Sequence, residues 1–80
     1  MDKRDRQRLL TLMTGQIISE RISFPLACAI LNISDVGACV LVPDAAVIPE
    51  VFTLVMDKTG SSRACSVRWK SKNRIGVSFQ

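Results

Sequence analysis

The sequence predicts a small all-β protein, a closed antiparallel barrel of six short strands with no substantial helix. Its 80 residues suffice for one domain, and 48% of them are apolar against 22% charged, which is a globular composition. Apolar and polar residues alternate through much of the chain, and no stretch has the spacing of an amphipathic helix. A sheet of about six short strands usually closes on itself, because closure removes exposed edges.

The amino-terminal half contains three strand-like stretches. LLTLMTGQII, from Leu9, is strand-prone, and its glycine suggests a bend. SERISFPLACAILNIS is strand-like around Pro25, which marks an edge or a bulge. ACVLV, from Ala38, is a third strand, which ends at Pro43. The following PDAAVIPE is expected to be a loop with at most one helical turn, because Pro43 and Pro49 bracket it.

The carboxyl-terminal half contains three stretches that alternate more strictly. They are VFTLVM, RACSVRWK and RIGVSF, separated by the polar connections DKTGSS and SKN. The glycine of DKTGSS, Gly60, is typical of a hairpin turn. Each stretch places alternate apolar side chains on one face, and these are expected to fill the barrel: Phe52, Leu54 and Met56; Cys65, Val67 and Trp69; Ile75, Val77 and Phe79.

Positive charge is concentrated in an amino-terminal arm, residues 1–9, which precedes a barrel domain of residues 10–80. With two aspartates as offset, the arm carries +2, half of the formal net charge of +4. This favours an anionic partner, although a solvated tail that aids solubility is the alternative. The arm has few apolar side chains to anchor it and is expected to be disordered without a ligand. Four of the eleven basic residues lie in it: Lys3, Arg4, Arg6 and Arg8.

Two short motifs are candidates for binding chemistry. Arg4 and Arg8 are four residues apart, and their guanidiniums can bond phosphate oxygens in pairs or stack on bases. In NISDVG, the Asn32 amide offers a donor beside an acceptor, which suits the edge of a base. Ser34 can serve either role, and Gly37 permits a positive φ or a close approach to the backbone.

The placement of NISDVG allows two interpretations. If residues 28–34 are extended, Asn32 and Ser34 share a face with Cys28 and Ile30. The alternative is an Asx or Ser turn that only connects two strands.

Together the two motifs resemble those of the PilZ domain family, whose members bind cyclic di-GMP through an R-x-x-x-R arm and a [D/N]-x-S-x-x-G segment. Here the arm motif is RDRQR, residues 4–8, and the segment is NISDVG, residues 32–37. GQI, GACVLV, FTLVM, ACSVRWK and RIGVSF also look like the family, so the resemblance runs from about Arg4 to Phe79. The family fold is a six-stranded β-barrel, in agreement with the strand count. Asn32 stands where many members have aspartate, and the family pattern admits both.

The resemblance implies a receptor for a bacterial second messenger. The family's residues at the positions of Arg4 and Arg8 bind the phosphates and stack on the guanines. Those at the positions of Asn32 and Ser34 contact a guanine, and Gly37 completes the segment. Ordering of the arm by cyclic di-GMP would then be the signal that a downstream protein reads. Many members carry a carboxyl-terminal helix that is not found here, so no output through such a helix is expected.

Two other functions stay open. One is a basic barrel that binds nucleic acid, in which Arg68, Trp69 and Lys70 form a stacking platform. Against it, Trp69 shares a predicted face with Cys65 and Val67, and the chain has only three phenylalanines and one tryptophan. The other is a PilZ-like module that binds proteins and ignores the nucleotide, which degenerate motifs would favour.

Composition argues against an enzyme and against a metal site. The chain has no histidine and no tyrosine, and no motif pairs its acidic residues. Cys28, Cys39 and Cys65 have long spacings without C-x-x-C, so buried thiols are expected rather than zinc ligands. No apolar run approaches the roughly 20 residues of a membrane span, and no secretory signal is visible. A cytoplasmic protein without a cofactor is therefore expected; whether it is a monomer or a dimer stays open.

Overall fold

The computed structural model describes residues 13–80, which form a closed antiparallel barrel of six strands. The order around the barrel is β1-β2-β3-β6-β5-β4, and pairing of β4 with β1 closes it. The predicted all-β, six-stranded fold is thereby confirmed. The strands are β1 Met13–Ile18, β2 Leu26–Ile33, β3 Gly37–Leu41, β4 Val51–Met56, β5 Ser62–Lys70 and β6 Arg74–Phe79.

The connections follow the predicted turn chemistry. The segment between Pro43 and Pro49 contains a single 3-10 turn, Ala45–Val47, and the Asp44 carboxylate accepts a hydrogen bond from the Ala46 N–H at 3.0 Å. The β4–β5 hairpin turns at Gly60, whose φ of 74° is a conformation that favours glycine.

The core fills the inside of the barrel with aliphatic side chains and two thiols, those of Cys28 and Cys65. Phe52 and Val77 are also buried, and Phe79 is half-buried against this cluster. Within residues 13–80 no polar or charged residue is buried. Each fully buried aliphatic side chain stabilises the fold by about 1.5–3 kcal/mol. The largest fully buried side chains are Ile17, Ile30, Leu54, Ile75, Val40 and Cys65.

Two strands each contain one extra residue, a β-bulge. In β2 the register against β3 shifts between Ile30 and Asn32, so Leu31 has no partner of its own. In β5 the register against β6 shifts between Val67 and Trp69, which leaves Arg68 unpaired in the same way. Since side chains alternate along a strand, one extra residue moves the side chains that follow it to the opposite face.

The bulges overturn two expectations about which residues share a face of their strand. Trp69 was expected inside the barrel, but it lies on the outer surface and is 49% exposed. Asn32 was expected to share a face with Cys28 and Ile30; those two are buried, whereas Asn32 is exposed on the outside. Both predictions assumed strict alternation through residues 28–34 or 65–69, and both are wrong for the same reason.

Candidate functional site

The two bulges place a row of four residues on the outer surface of the barrel. Asn32 of β2 pairs with Cys39 of β3, Cys39 pairs with Gly76 of β6, and Gly76 pairs with Trp69 of β5. Neighbouring strands lie about 4.8 Å apart, so the row spans roughly 14 Å. An amide stands at one end of the row and an indole at the other.

The indole of Trp69 lies directly against the backbone of Gly76. A methyl group added at Gly76 would overlap the indole nitrogen and the neighbouring ring carbon of Trp69. The glycine faces outward yet is buried, because the indole covers it. A glycine opposite a tryptophan therefore lets the indole lie close against β6, while about half of the residue's surface stays exposed.

A shallow groove runs along this row and contains the body residues predicted from NISDVG. The structure thus brings Asn32, Ser34 and Gly37 together, next to Trp69 and the bulge residue Arg68. Sequence reasoning assigned the last two only to a nucleic-acid platform. No local signal was available, because RWK continues the alternation of apolar and polar residues that precedes it.

The motif loop, residues 34–36, is a serine turn between β2 and β3. The Ser34 N–H donates to the Gly37 carbonyl at 2.8 Å, and the Val36 N–H donates to the Ser34 hydroxyl at 3.3 Å. The turn interpretation is thus confirmed for Ser34. Asn32 differs, because its amide makes no hydrogen bond to another residue of the described part. Within residues 13–80 the amide of Asn32 thus takes no part in the hydrogen bonds of the turn.

Gly37 is required by the barrel and not by an unusual backbone conformation. Among residues 13–80 only Gly60 has a positive φ, so of the two roles that the sequence left open for Gly37, a positive φ is not the one adopted. A methyl group at Gly37 would overlap the carbonyl oxygen of Val77 in β6. The glycine thus lets the motif loop come close to β6. The close approach that Gly37 permits is therefore to the backbone of β6 and not to a ligand.

The cysteines divide between the core and the row. Burial raises the pKa of Cys28 to about 11 and that of Cys65 to about 11, so both thiols are protonated at neutral pH. Those two are buried as predicted, whereas Cys39 is half-buried in the row. Within residues 13–80 no three metal-ligating side chains come together.

The arginines of the predicted site, Arg4 and Arg8, lie outside the described residues, as does the whole arm of residues 1–9. Their part in the site stays a prediction. The described chain begins at Met13, which lines a groove together with Ile33, the last residue of β2. The chain thus joins the barrel beside the motif loop. No helix in residues 13–80 has the length and apolar character to cross a bilayer.

Comparison with known proteins gives one match. The model of the PilZ domain matches residues 2–80 of the chain. No curated protein and no solved structure matches it.

Proposed function

The chain belongs to the PilZ domain family, a family of cyclic di-GMP receptors, and we propose that it binds this nucleotide in the groove between Asn32 and Trp69. PilZ domains are binding modules rather than enzymes. The site proposed for this chain therefore needs groups that recognise a planar base and two phosphates, and no catalytic group.

The row from Asn32 to Trp69 is the observation that carries the proposal. Guanine presents a hydrogen-bonding edge and an aromatic face for stacking, and the row supplies a partner for each. The amide of Asn32, which makes no hydrogen bond to another residue of 13–80, can donate to and accept from a base edge. The half-exposed indole offers a stacking surface, and stacking of a base on an aromatic side chain contributes about 1–3 kcal/mol.

Ser34 and Gly37 contribute in a different way from Asn32. The Ser34 hydroxyl accepts the Val36 N–H and lies 3.4 Å from the Gly37 carbonyl, so one of its acceptor positions is left for a ligand. Gly37 shapes the loop. We assign base reading to Asn32, a supporting contact to Ser34 and loop placement to Gly37.

Arg4 and Arg8 supply the phosphate contacts in this proposal. Arg8 is five residues before Met13, so the chain allows its Cα to lie up to roughly 17 Å from that residue. That reach is similar to the span of the row. Each charge-assisted hydrogen bond contributes about 1.5–3 kcal/mol, and ordering an arm residue costs about 1–2 kcal/mol. The terms are similar in size, so much of the binding energy orders residues 1–9, and that ordering is the signal for a downstream protein in the bacterial cytoplasm.

Titration calorimetry with cyclic di-GMP tests the proposal. We expect measurable heat, a rise in melting temperature, and far weaker binding of GMP and GTP at the same concentration. Trp69 is the only tryptophan of the chain, so its fluorescence reports directly on the groove. Absence of heat, of a thermal shift and of a fluorescence change would refute nucleotide binding and leave a module that binds proteins.

Exposure of Trp69 also favours a second candidate function, binding of single-stranded nucleic acid. The indole lies beside the exposed Arg68, as a stacking platform requires. Salt separates the two functions. A nucleic acid held through several phosphates loses affinity steeply as ionic strength rises, whereas a ligand with two phosphates loses less.

A further inference from the structure

Two polar contacts attach the motif loop, residues 34–36, to the rest of the barrel. The Phe79 N–H donates to the Val36 carbonyl at 2.8 Å. The Arg63 guanidinium donates through Nη2 to the Asp35 carbonyl at 3.4 Å. All three loop residues are exposed, and Val36 is 74% exposed. Apolar packing therefore does not hold the loop. The Ser34 N–H bond to the Gly37 carbonyl closes the turn, and these two contacts attach the turn to β5 and β6.

Arg63 is itself held by an aromatic ring. Its guanidinium carbon lies 4.1 Å from the centroid of the Phe79 ring, which is within the range of a cation–π contact. Phe79 thus holds the loop directly through its N–H and indirectly through its ring. A planar guanidinium can stack on a ring while its edge donates a hydrogen bond, which an ammonium group cannot do.

Arg63 also lies between the motif loop and the place where the described chain begins. It lines a groove of about 560 Å³ with Met13 and Ile33. It does not line the groove between Asn32 and Trp69, so it contacts the loop from outside that groove.

We propose that Arg63 is a positioning residue, which holds the motif loop against β6 in the free protein so that Ser34, beside the strand residue Asn32, is already oriented for the ligand. The ligand in this inference is taken from the proposed function, whereas the contact between Arg63 and the loop does not depend on that function. If the loop is ordered before binding, no binding free energy is lost in ordering it. Arg63 therefore raises affinity without contacting the nucleotide.

Amide hydrogen exchange in the free protein tests the contact. We expect the amides of Ser34 and Val36 to exchange several-fold faster in Arg63→Ala than in the unmodified protein. Arg74→Ala is the matched control, because it removes the same charge from an exposed strand position that pairs with Leu41, away from the loop. Unchanged exchange in Arg63→Ala, or an equal change in Arg74→Ala, would overturn the proposal.

Affinity for cyclic di-GMP tests the consequence. We expect Arg63→Ala to bind about three- to tenfold more weakly, mainly through faster dissociation, and Arg74→Ala to bind normally. Arg63→Lys keeps the charge and loses the planar fork, so we expect it to bind as weakly as Arg63→Ala. Full rescue by lysine would mean that only charge matters, and faster exchange with unchanged affinity would overturn the positioning role.

A further variant separates the contact from general destabilisation. Phe79→Leu keeps the backbone donor and removes the ring, and we expect it to speed exchange at Val36 in the same direction. If the unmodified protein binds no cyclic di-GMP, the proposed function fails, while the exchange comparison still decides whether Arg63 holds the loop.

Discussion

Replacement of Gly76 by alanine should expel the indole of Trp69 from its place on β6. The added methyl group would occupy the position of the indole nitrogen, and the neighbouring backbone of β6 is fixed by pairing on both sides. The ring therefore has to lift away. Gly76→Ala tests the idea that the row is built around this one contact.

The expected loss of stability follows from the exposure of Trp69. The residue is 49% exposed, so about half of the roughly 200 Å² of a tryptophan side chain is covered. Uncovering about 100 Å² at ~25 cal/mol per Å² costs about 2.5 kcal/mol. Alanine in place of a strand glycine stabilises the folded state by about 0.5–1 kcal/mol, which offsets part of this loss. The free energy of unfolding should fall by about 1.5–2 kcal/mol, which corresponds to a melting temperature lower by about 10 °C.

Urea unfolding and tryptophan emission measure the effect together. We expect the emission of folded Gly76→Ala to shift to the red, because the only tryptophan becomes more exposed, and cyclic di-GMP affinity to fall with it. Gly60→Ala is the control: its cost comes from the positive φ, no atom lies within 4 Å of the added methyl, and the emission should not change. If Gly76→Ala were as destabilising in a Trp69→Ala background as alone, the indole contact would not be the cause.

Three further predictions concern the arm and the thiols. Arg8→Ala should weaken cyclic di-GMP binding about tenfold or more, and Arg6→Ala less, in titration calorimetry; equal losses would mean that the arm acts as diffuse charge. Backbone relaxation by NMR should show residues 1–9 mobile in the free protein and ordered at saturation, and an arm that stays mobile with ligand bound would refute the switch. The pKa values of Cys28 and Cys65, raised to about 11 by burial, lie above those of the unfolded chain. The folded state therefore holds these protons more tightly, and stability present below about pH 9 is lost as pH rises toward 11. The double variant with valine at both positions should lose less stability over that range in urea unfolding, and a matching pH dependence would contradict the assignment.

Alternation and turn residues were enough to predict most of the barrel from the sequence. Phe52 and Leu54 face the core as their spacing requires, and Gly60 turns the predicted hairpin. These features are local, since each depends on side chains a few residues apart. The fold class follows from them because short strands with apolar faces have few ways to cover one another.

The arrangement of the site depends on long-range pairing and could not be predicted in the same way. Nothing in the neighbouring sequence identifies Leu31 and Arg68 as bulge residues. Each is left unpaired because the partner strand, β3 for Leu31 and β6 for Arg68, has one residue fewer between the flanking pairs. Strict alternation therefore put Trp69 inside the barrel, and it put Asn32 on the same face as Cys28 and Ile30. The motif NISDVG gave the correct loop, but not the indole that shares its groove.

The row of residues from Asn32 to Trp69 depends on the pairing of β6. β6 is the last strand, and it separates β3 from β5, so Asn32 and Trp69 stay in register only while this terminal strand remains paired on both edges. A molecule that spans from the amide to the indole would bridge over the strand and fasten it in place. Occupancy would then show as slower amide hydrogen exchange along β6, at a part of the chain distant in sequence from the arm.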